Sequence, residues 1–145
     1  MATQERPAED PERVAMRAKD CGIWKPLTWQ AYRDRVEAFA LGLLDLGVKP
    51  GETVAVLGGN RPEVLVADLA AQSLGGAGAV LFPESLPDEI AYIADHCDAT
   101  ILVVEDQEQA DKIESVRARL GKLRHVVYWE PRGMDTYDPE VFLPF

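Results

Sequence analysis

The sequence predicts an α/β fold: a three-layer unit with a mainly parallel sheet and crossover helices, preceded by a short β-hairpin. Two observations predict this class. Four short apolar or β-branched runs alternate with amphipathic patterns that have the period of a helix. Strands joined through helices cannot pair as tight hairpins, so parallel pairing through crossover connections is expected. The four runs are residues 53–57, 77–82, 100–104 and 125–129.

The N-terminal residues are predicted to form a disordered arm. Residues 1–12 are polar and contain Pro7 and Pro11, so they offer too little apolar surface to offset the entropy cost of ordering. The remaining residues, 13–145, are expected to form one α/β subdomain, because the whole chain of 145 residues has the size of a single domain.

The first ordered segment, "VAMRAKDCGIWKPLTW", is predicted to be the hairpin, with Asp20, Cys21 and Gly22 near its turn. A helix follows, with Thr28 as its N-cap and Gly47 as the residue that ends it. Its apolar residues recur at three- and four-residue steps, at Tyr32, Val36, Phe39, Leu43 and Leu46.

Three further helices connect the predicted strands. Residues 62–74 are apolar on almost every side, so this helix should be buried on more than one side. The next helix should begin after an N-cap at Ser85, and the last after an N-cap at Asp106 with Gln109 completing a capping box. Their predicted apolar stripes are Leu86, Ile90, Ile93 and Cys97 in one, and Ala110, Ile113, Val116 and Leu120 in the other.

The C-terminal stretch, "EPRGMDTYDPEVFLPF", is predicted to be a turn-rich tail. It finishes on apolar residues that have nothing predicted to pack on them. We therefore expect the unit to be truncated at its C-terminal end, as part of a longer protein.

Composition excludes several function classes. With 25 acidic and 15 basic side chains, the formal charge of −10 disfavours binding to nucleic acid or to anionic lipid. The sequence has neither a transmembrane-length apolar run nor the apolar core of a signal peptide, so a cytoplasmic protein without a transmembrane segment is expected. Cys21 and Cys97 are predicted to be free thiols, because they lack the spacing of a metal site.

Two glycine-containing segments invite a nucleotide-binding interpretation. In "LGGNRP", Gly58 and Gly59 are adjacent and Pro62 stands where a third fingerprint glycine would fall, so a strand-to-helix corner is favoured over a phosphate cradle. The second segment, residues 74–79, lies between a predicted helix end and a strand start. Anions bind at helix N-termini, so this segment is interpreted as a helix C-cap.

The remaining polar candidates are weak. His96 and Cys97 are neighbours on a helix and project about 100° apart, so they do not converge on one metal. Glu105 and Asp106 follow a strand and could hold Mg²⁺, but Asp106 is already assigned as an N-cap. His125 has no partner that the sequence identifies. We predict no catalytic, cofactor-binding or metal residue in this chain.

The segment from "LTWQAYRDRVEAFALGLLDLGVKPGETVAVLGGNRPE" to "ILVVED" resembles the N-terminal portion of the adenylate-forming acyl-CoA synthetases of the AMP-binding superfamily. The later part is most similar to the long-chain fatty-acid–CoA ligase branch. Two positions depart from the family pattern: Glu52, where Asp is more usual, and Gly59, an additional glycine. The positions that match the family pattern are Thr28, Trp29, Gly47, Gly51, Val54, Ala55, Asn60, Glu63, Gly78, Ala79, Val80 and Pro83.

The resemblance implies a parent ligase that uses ATP, Mg²⁺ and coenzyme A to convert a fatty acid to an acyl-adenylate and then to a thioester. The Ser/Thr/Gly-rich phosphate loop of that family ends in Pro-Lys-Gly. This chain has no cluster of serines and threonines, so it is expected to be a non-catalytic N-terminal portion whose partner is the remainder of the parent. The apolar helix at residues 62–74 also predicts self-association as a homodimer through exposed apolar surface.

Two alternatives remain open at the level of sequence. One is a stand-alone flavodoxin-like ligand-binding or interaction module that uses the strand ends near Asn60, Pro83 and Asp106. A receiver-type phosphorylation domain is a weaker version of it, because Glu130 and not a lysine follows the strand at residues 125–129. The other alternative is a chain that retains catalysis.

Overall fold

A computed structural model describes residues 10–145, which form two sheets and four α-helices. The predicted arm lies mostly outside the described residues. Short 3₁₀ turns occur at Arg117–Arg119 and Met134–Thr136. The elements are β1 (Val14–Asp20), β2 (Ile23–Thr28), α1 (Trp29–Asp45), β3 (Thr53–Leu57), α2 (Pro62–Ser73), β4 (Ala77–Leu81), α3 (Pro87–His96), β5 (Ala99–Val104), α4 (Gln107–Val116), β6 (His125–Tyr128) and β7 (Phe142–Pro144).

The main sheet has the strand order β4-β3-β5-β6-β7, and all of its neighbouring strands are parallel. The predicted α/β class with a leading hairpin is therefore confirmed. α1 and α2 cover one face of the sheet, and α3 and α4 cover the other. The central strand β5 is buried at every residue, as expected for a parallel strand between two helical layers.

The hairpin β1–β2 forms a two-stranded sheet of its own. It packs beside the start of α1 and the middle of α2. Leu27 of β2, Tyr32 of α1 and Val66 of α2 form a small buried cluster there. Cys21 lies at the hairpin turn with φ of 48°, and Gly22 follows with φ of 82°. The predicted turn is thus in place.

The helix caps predicted for α1 are confirmed. The Ala31 N–H donates to Thr28 Oγ1 at 3.2 Å, and Gly47 has a φ of 78°. α2 is buried on more than one side, as predicted, because it packs on the sheet, α1 and the hairpin. Its outer side still exposes Leu65 and Leu69 to 45% and 40%.

The predicted start of α3 is wrong by one residue. Leu86, not Ser85, is the N-cap, because Pro87 suits the first helical position. Glu89 Oε2 accepts a hydrogen bond from the Leu86 N–H at 2.9 Å. The predicted stripe is wrong at Leu86 and Ile93, which are exposed to 64% and 39%. The buried face is instead formed by Ile90, Ala91 and Ala94.

The capping box predicted for α4 is only half formed. Asp106 Oδ1 accepts from the Gln109 N–H at 3.2 Å, as expected. The Gln109 side chain does not complete the box, since its Oε1 accepts from Lys112 Nζ at 3.2 Å. Lys112 competes successfully because it lies one helical turn further along the same face.

The C-terminal stretch contains a strand that the sequence analysis missed. β7 extends the sheet beyond β6, and the Phe145 N–H donates to the Tyr128 carbonyl at 2.8 Å. With only three residues and a proline, β7 gives no alternation that a sequence pattern could reveal. Its position at the edge explains why Pro144 is tolerated.

Candidate functional site

The best candidate site is the crevice at the carboxyl ends of β3 and β5. From β3 the chain crosses to β4 on one side, and from β5 it crosses to β6 on the other. In open α/β sheets, ligands bind at such a change of direction, outside the carboxyl ends of the strands. Gly58 and Gly59 follow β3 here, and Glu105 and Asp106 follow β5.

The amide of the glycine corner is already engaged by a side chain of this protein. The Gly59 N–H donates to Glu105 Oε2 at 2.7 Å. Glu105 is itself held in line with the strand, because its N–H donates to the Leu57 carbonyl at 3.1 Å. A carboxylate therefore lies where a bound phosphate would need a backbone donor, and it would repel that phosphate.

An aromatic ring fills the space beside the same corner. A Cβ placed on Gly58 would lie 2.5 Å from the Cη2 atom of the Trp129 ring. Trp129 follows β6, and its N–H donates to the Val104 carbonyl at 3.3 Å. Gly58 is therefore required for close packing against tryptophan, which is a structural reason for a glycine at this position.

The neighbouring loop after β4 is fixed by a lysine that sequence reasoning missed. Lys112 Nζ donates to the Pro83 carbonyl at 2.6 Å and lies 3.3 Å from Glu108 Oε1. The Lys112 side chain is only 19% exposed. It joins α4 to the β4–α3 loop, so this ammonium group is committed to structure. An i to i+4 pairing with Glu108 was its only sequence signal.

Arg61 was also missed, and it connects the glycine corner to the hairpin. Its Nη1 donates to the Lys19 carbonyl at 3.2 Å, and its Nε is buried without a hydrogen-bond partner among residues 10–145.

Two carboxylates near this corner have shifted pKa values. At the hairpin turn, a hydrogen bond from Lys25 lowers the pKa of Asp20. After β6, a hydrogen bond from Arg132 lowers the pKa of Glu130. These carboxylates are thus paired with neighbouring cations.

The other predicted positions are not brought together. His96 is exposed and stacks on Tyr92 with a centroid distance of 5.8 Å. Cys97 is half-buried and burial raises the pKa of its thiol, while Cys21 is exposed; both are free. His125 Nδ1 lies 3.2 Å from the Glu140 carbonyl. Within residues 10–145, no group of three or more His, Cys, Asp or Glu side chains could hold a metal ion.

Two apolar grooves lie away from this crevice. One, of about 390 Å³, runs between α1 and the strands β6 and β7, and Phe145 stacks there on Phe39 with a centroid distance of 4.2 Å. The other, of about 670 Å³, lies between α1 and α2 and is lined by Leu41, Leu44 and Leu69. Neither groove adjoins the glycine corner. In the part of the chain that the structure describes, no helix is long and apolar enough to cross a membrane.

The sequence matches a known protein family and several known proteins. The family model described as "AMP-binding enzyme" matches residues 3–141. Long-chain-fatty-acid–CoA ligase ACSBG1 of Homo sapiens is 32% identical over 134 residues, which cover 90% of this chain and 18% of that protein. The chain thus spans less than a fifth of the length of this relative.

A shorter relative and a solved structure were also found. Uncharacterized protein Rv1549 of Mycobacterium tuberculosis is 29% identical over 138 residues, covering 88% of this chain and 75% of that protein. The acetoacetyl-CoA synthetase from Streptomyces lividans superposes with a TM-score of 0.79 over 93% of this chain and 22% of that one. Because the sequence identity to this synthetase is 24%, the superposition supports the fold alone.

Proposed function

The chain belongs to the AMP-binding enzyme family, and on that premise we propose that it is a non-catalytic N-terminal portion of an ATP-dependent long-chain fatty-acid–CoA ligase. Its role is to build one wall of the parent enzyme. The parent reaction joins a fatty acid to AMP with loss of pyrophosphate and then transfers the acyl group to coenzyme A. The relatives named as long-chain-fatty-acid–CoA ligases support the substrate class.

The observation that carries the non-catalytic part of the proposal is the engaged corner. The residues present do not fit the phosphates of ATP, because Glu105 already accepts from the Gly59 amide and Trp129 fills the adjoining space. Nor do the described residues gather the carboxylates that Mg²⁺ would need. ATP, Mg²⁺ and coenzyme A are therefore assigned to the remainder of the parent, which is the proposed partner.

The test is an assay for partial reactions. The purified chain is incubated with ATP, Mg²⁺ and palmitate, and exchange of labelled pyrophosphate into ATP is measured. Full-length human ACSBG1 serves as the positive control. We expect no exchange above a protein-free blank and no retention of labelled ATP in equilibrium dialysis. Exchange at a rate comparable to the control would overturn the proposal.

A flavodoxin-like binding module is the second candidate, and the strand order favours it. Counted from β3, the order β4-β3-β5-β6-β7 is the 2-1-3-4-5 order of flavodoxin-like sheets. In such folds the ligand binds at the crevice that Glu105 and Trp129 occupy here. Titration with FMN, ATP and AMP, followed by tryptophan fluorescence, tests this alternative. Saturable quenching at micromolar ligand would favour the module over the inert portion.

Two further proposals concern the setting of the chain. Its exposed apolar surface supports self-association of the separate chain, because Val80 is 55% exposed and Phe82 is 75% exposed. Light scattering that shows a monomer at high concentration would contradict this. A cytoplasmic location is proposed as well, and cell fractionation with a compartment marker tests it.

A further inference from the structure

The outer edge of β4 carries unpaired backbone groups. β4 is the terminal strand of its sheet, and no strand within residues 10–145 pairs with its outer side. Ala77 donates its N–H to the Glu52 carbonyl, on the β3 side, at 3.1 Å. Because backbone groups of successive strand residues point to opposite edges, Gly78 and Val80 direct their N–H and C=O groups away from the sheet.

This edge lacks the features that usually prevent strands from associating. Open edges are commonly protected by charged residues, by proline or by being very short. The opposite edge has such protection, since β7 is three residues long and contains Pro144. By contrast, residues 77–82, "AGAVLF", include neither a charged side chain nor a proline in a protein of formal charge −10. Val80 is 55% exposed and Phe82 is 75% exposed.

We propose that β4 pairs antiparallel with β4 of a second copy of this chain, around a two-fold axis at Ala79. The two five-stranded sheets then form one continuous sheet. This inference rests on the self-association proposed above and names its surface. No residue of β4 is charged, so the strand itself adds no repulsion between two acidic molecules, which favours a second copy as the occupant.

The register follows from the backbone. With Ala79 on the axis, Gly78 of each copy faces Val80 of the other, so the residues with outward groups form the hydrogen-bonded pairs. Ala79 faces its own equivalent at a non-hydrogen-bonded position. Side-chain sizes match in this register, because Leu81 faces Ala77 and Phe82 faces the glycine at position 76. Apart from Ala79, which faces its own equivalent, each small residue of this edge thus faces a larger one.

Asp68 opposes this pairing and makes it adjustable. Its carboxylate lies over Gly78, where a Cβ would clash with Oδ1. In this register Gly78 of one copy is the diagonal neighbour of Gly78 of the other, at a distance of about 7 to 8 Å. Because each Asp68 lies over its own Gly78, the two carboxylates of a dimer come near each other. Their repulsion weakens the association without blocking it. Removal of the Asp68 charge should therefore tighten the association if β4 is the pairing surface, and this direction distinguishes edge pairing from burial of a different surface.

Sedimentation velocity over a concentration series tests the surface. We expect a reversible dimer of the wild-type chain, at least about tenfold weaker association for Val80→Lys, and about twofold tighter association for Asp68→Asn. Leu41→Lys is the matched control, since Leu41 is 67% exposed and lies in the groove between α1 and α2. It should leave the dimer unchanged.

These outcomes test the pairing surface independently of the proposed non-catalytic role. A dimer that Leu41→Lys dissociates and Val80→Lys does not would overturn edge pairing in favour of the groove. A monomer at every concentration would overturn self-association altogether. Neither result bears on pyrophosphate exchange, so an inert monomer contradicts self-association and this inference but not the non-catalytic role, and an active dimer contradicts only the non-catalytic role.

Cross-linking tests the register. In a Cys21→Asn, Cys97→Ala background, Ala79→Cys should form a covalent dimer under mild oxidation, because facing Cα atoms at a non-hydrogen-bonded position are about 4.5 Å apart. Val80→Cys should not, because the diagonal separation of about 7 to 8 Å exceeds disulfide reach. More cross-linking at Val80 than at Ala79 would refute this register.

Discussion

At the residue scale, Gly58 leaves no room for a side chain. Replacing it with alanine places a methyl group 2.5 Å from the Trp129 ring, so we expect a loss of about 1 to 3 kcal/mol in the free energy of unfolding. Gly59→Ala is the control, since its Cβ would meet only Glu105 Oε2, at 3.3 Å. Urea denaturation compares the two variants. Equal losses would mean that Trp129 moves aside freely.

Glu52 gives the second residue-scale prediction. Hydrogen bonding by Arg124 lowers the pKa of Glu52 below its ordinary value of 4.5, with Oε2 and Nη2 of the pair 2.7 Å apart. Because the folded-state pKa is depressed, the pair stabilises the fold above pH 4.5 and that contribution is lost as pH falls through the folded-state pKa. We expect Glu52→Gln to cost about 1 kcal/mol at pH 7 and nothing at acidic pH.

The control for this prediction is the shorter acid. Glu52→Asp keeps the charge but shortens the reach to Arg124, which belongs to the segment just before β6. It should lose most of the stabilisation at pH 7. Unfolding midpoints measured from pH 7 to pH 3 decide the matter. A Glu52→Gln deficit that persists at the lowest pH would show that packing, not charge, is responsible.

At the element scale, α1 contains a glycine that the described residues do not require. A Cβ on Gly42 would meet no atom within 4 Å. We therefore expect Gly42→Ala to raise the free energy of unfolding by up to about 1 kcal/mol. Gly47→Ala should lower it, because Gly47 has a φ of 78°. Thermal melts of both variants test the pair, and destabilisation by Gly42→Ala would reveal a contact near that residue.

The elements also show how far sequence reasoning reaches. Periodicity and caps identified α1, α2 and the central strands, because those elements have long patterns and local signals such as Thr28 and Gly47. The same sequence signals failed at β7 and at the apolar stripe of α3, because tertiary packing determines whether those residues form a strand or a buried face. For the site, the sequence identified the glycine corner. It did not reveal that Glu105 and Trp129 close it, since those contacts join residues 46 or more positions apart.

At the scale of the whole molecule, stability is expected to be uneven. β5 is buried at all six residues, whereas β2 of the hairpin has four exposed residues out of six. Local opening follows the density of buried contacts, so amides of β5 should exchange hydrogen slowest and those of the hairpin much faster. Native-state hydrogen exchange with mass spectrometry measures this. Uniform protection across both sheets would indicate a single cooperative unit.

The strand order has a consequence for synthesis on the ribosome. β3 emerges before both of its neighbours, β4 and β5, so its second edge remains unsatisfied until residue 104 has been translated. A nascent chain that pauses earlier exposes an apolar strand that nothing yet covers, which invites chaperone binding or aggregation. The translation rate between residues 57 and 104 is therefore a quantity to which the yield of this protein should be sensitive.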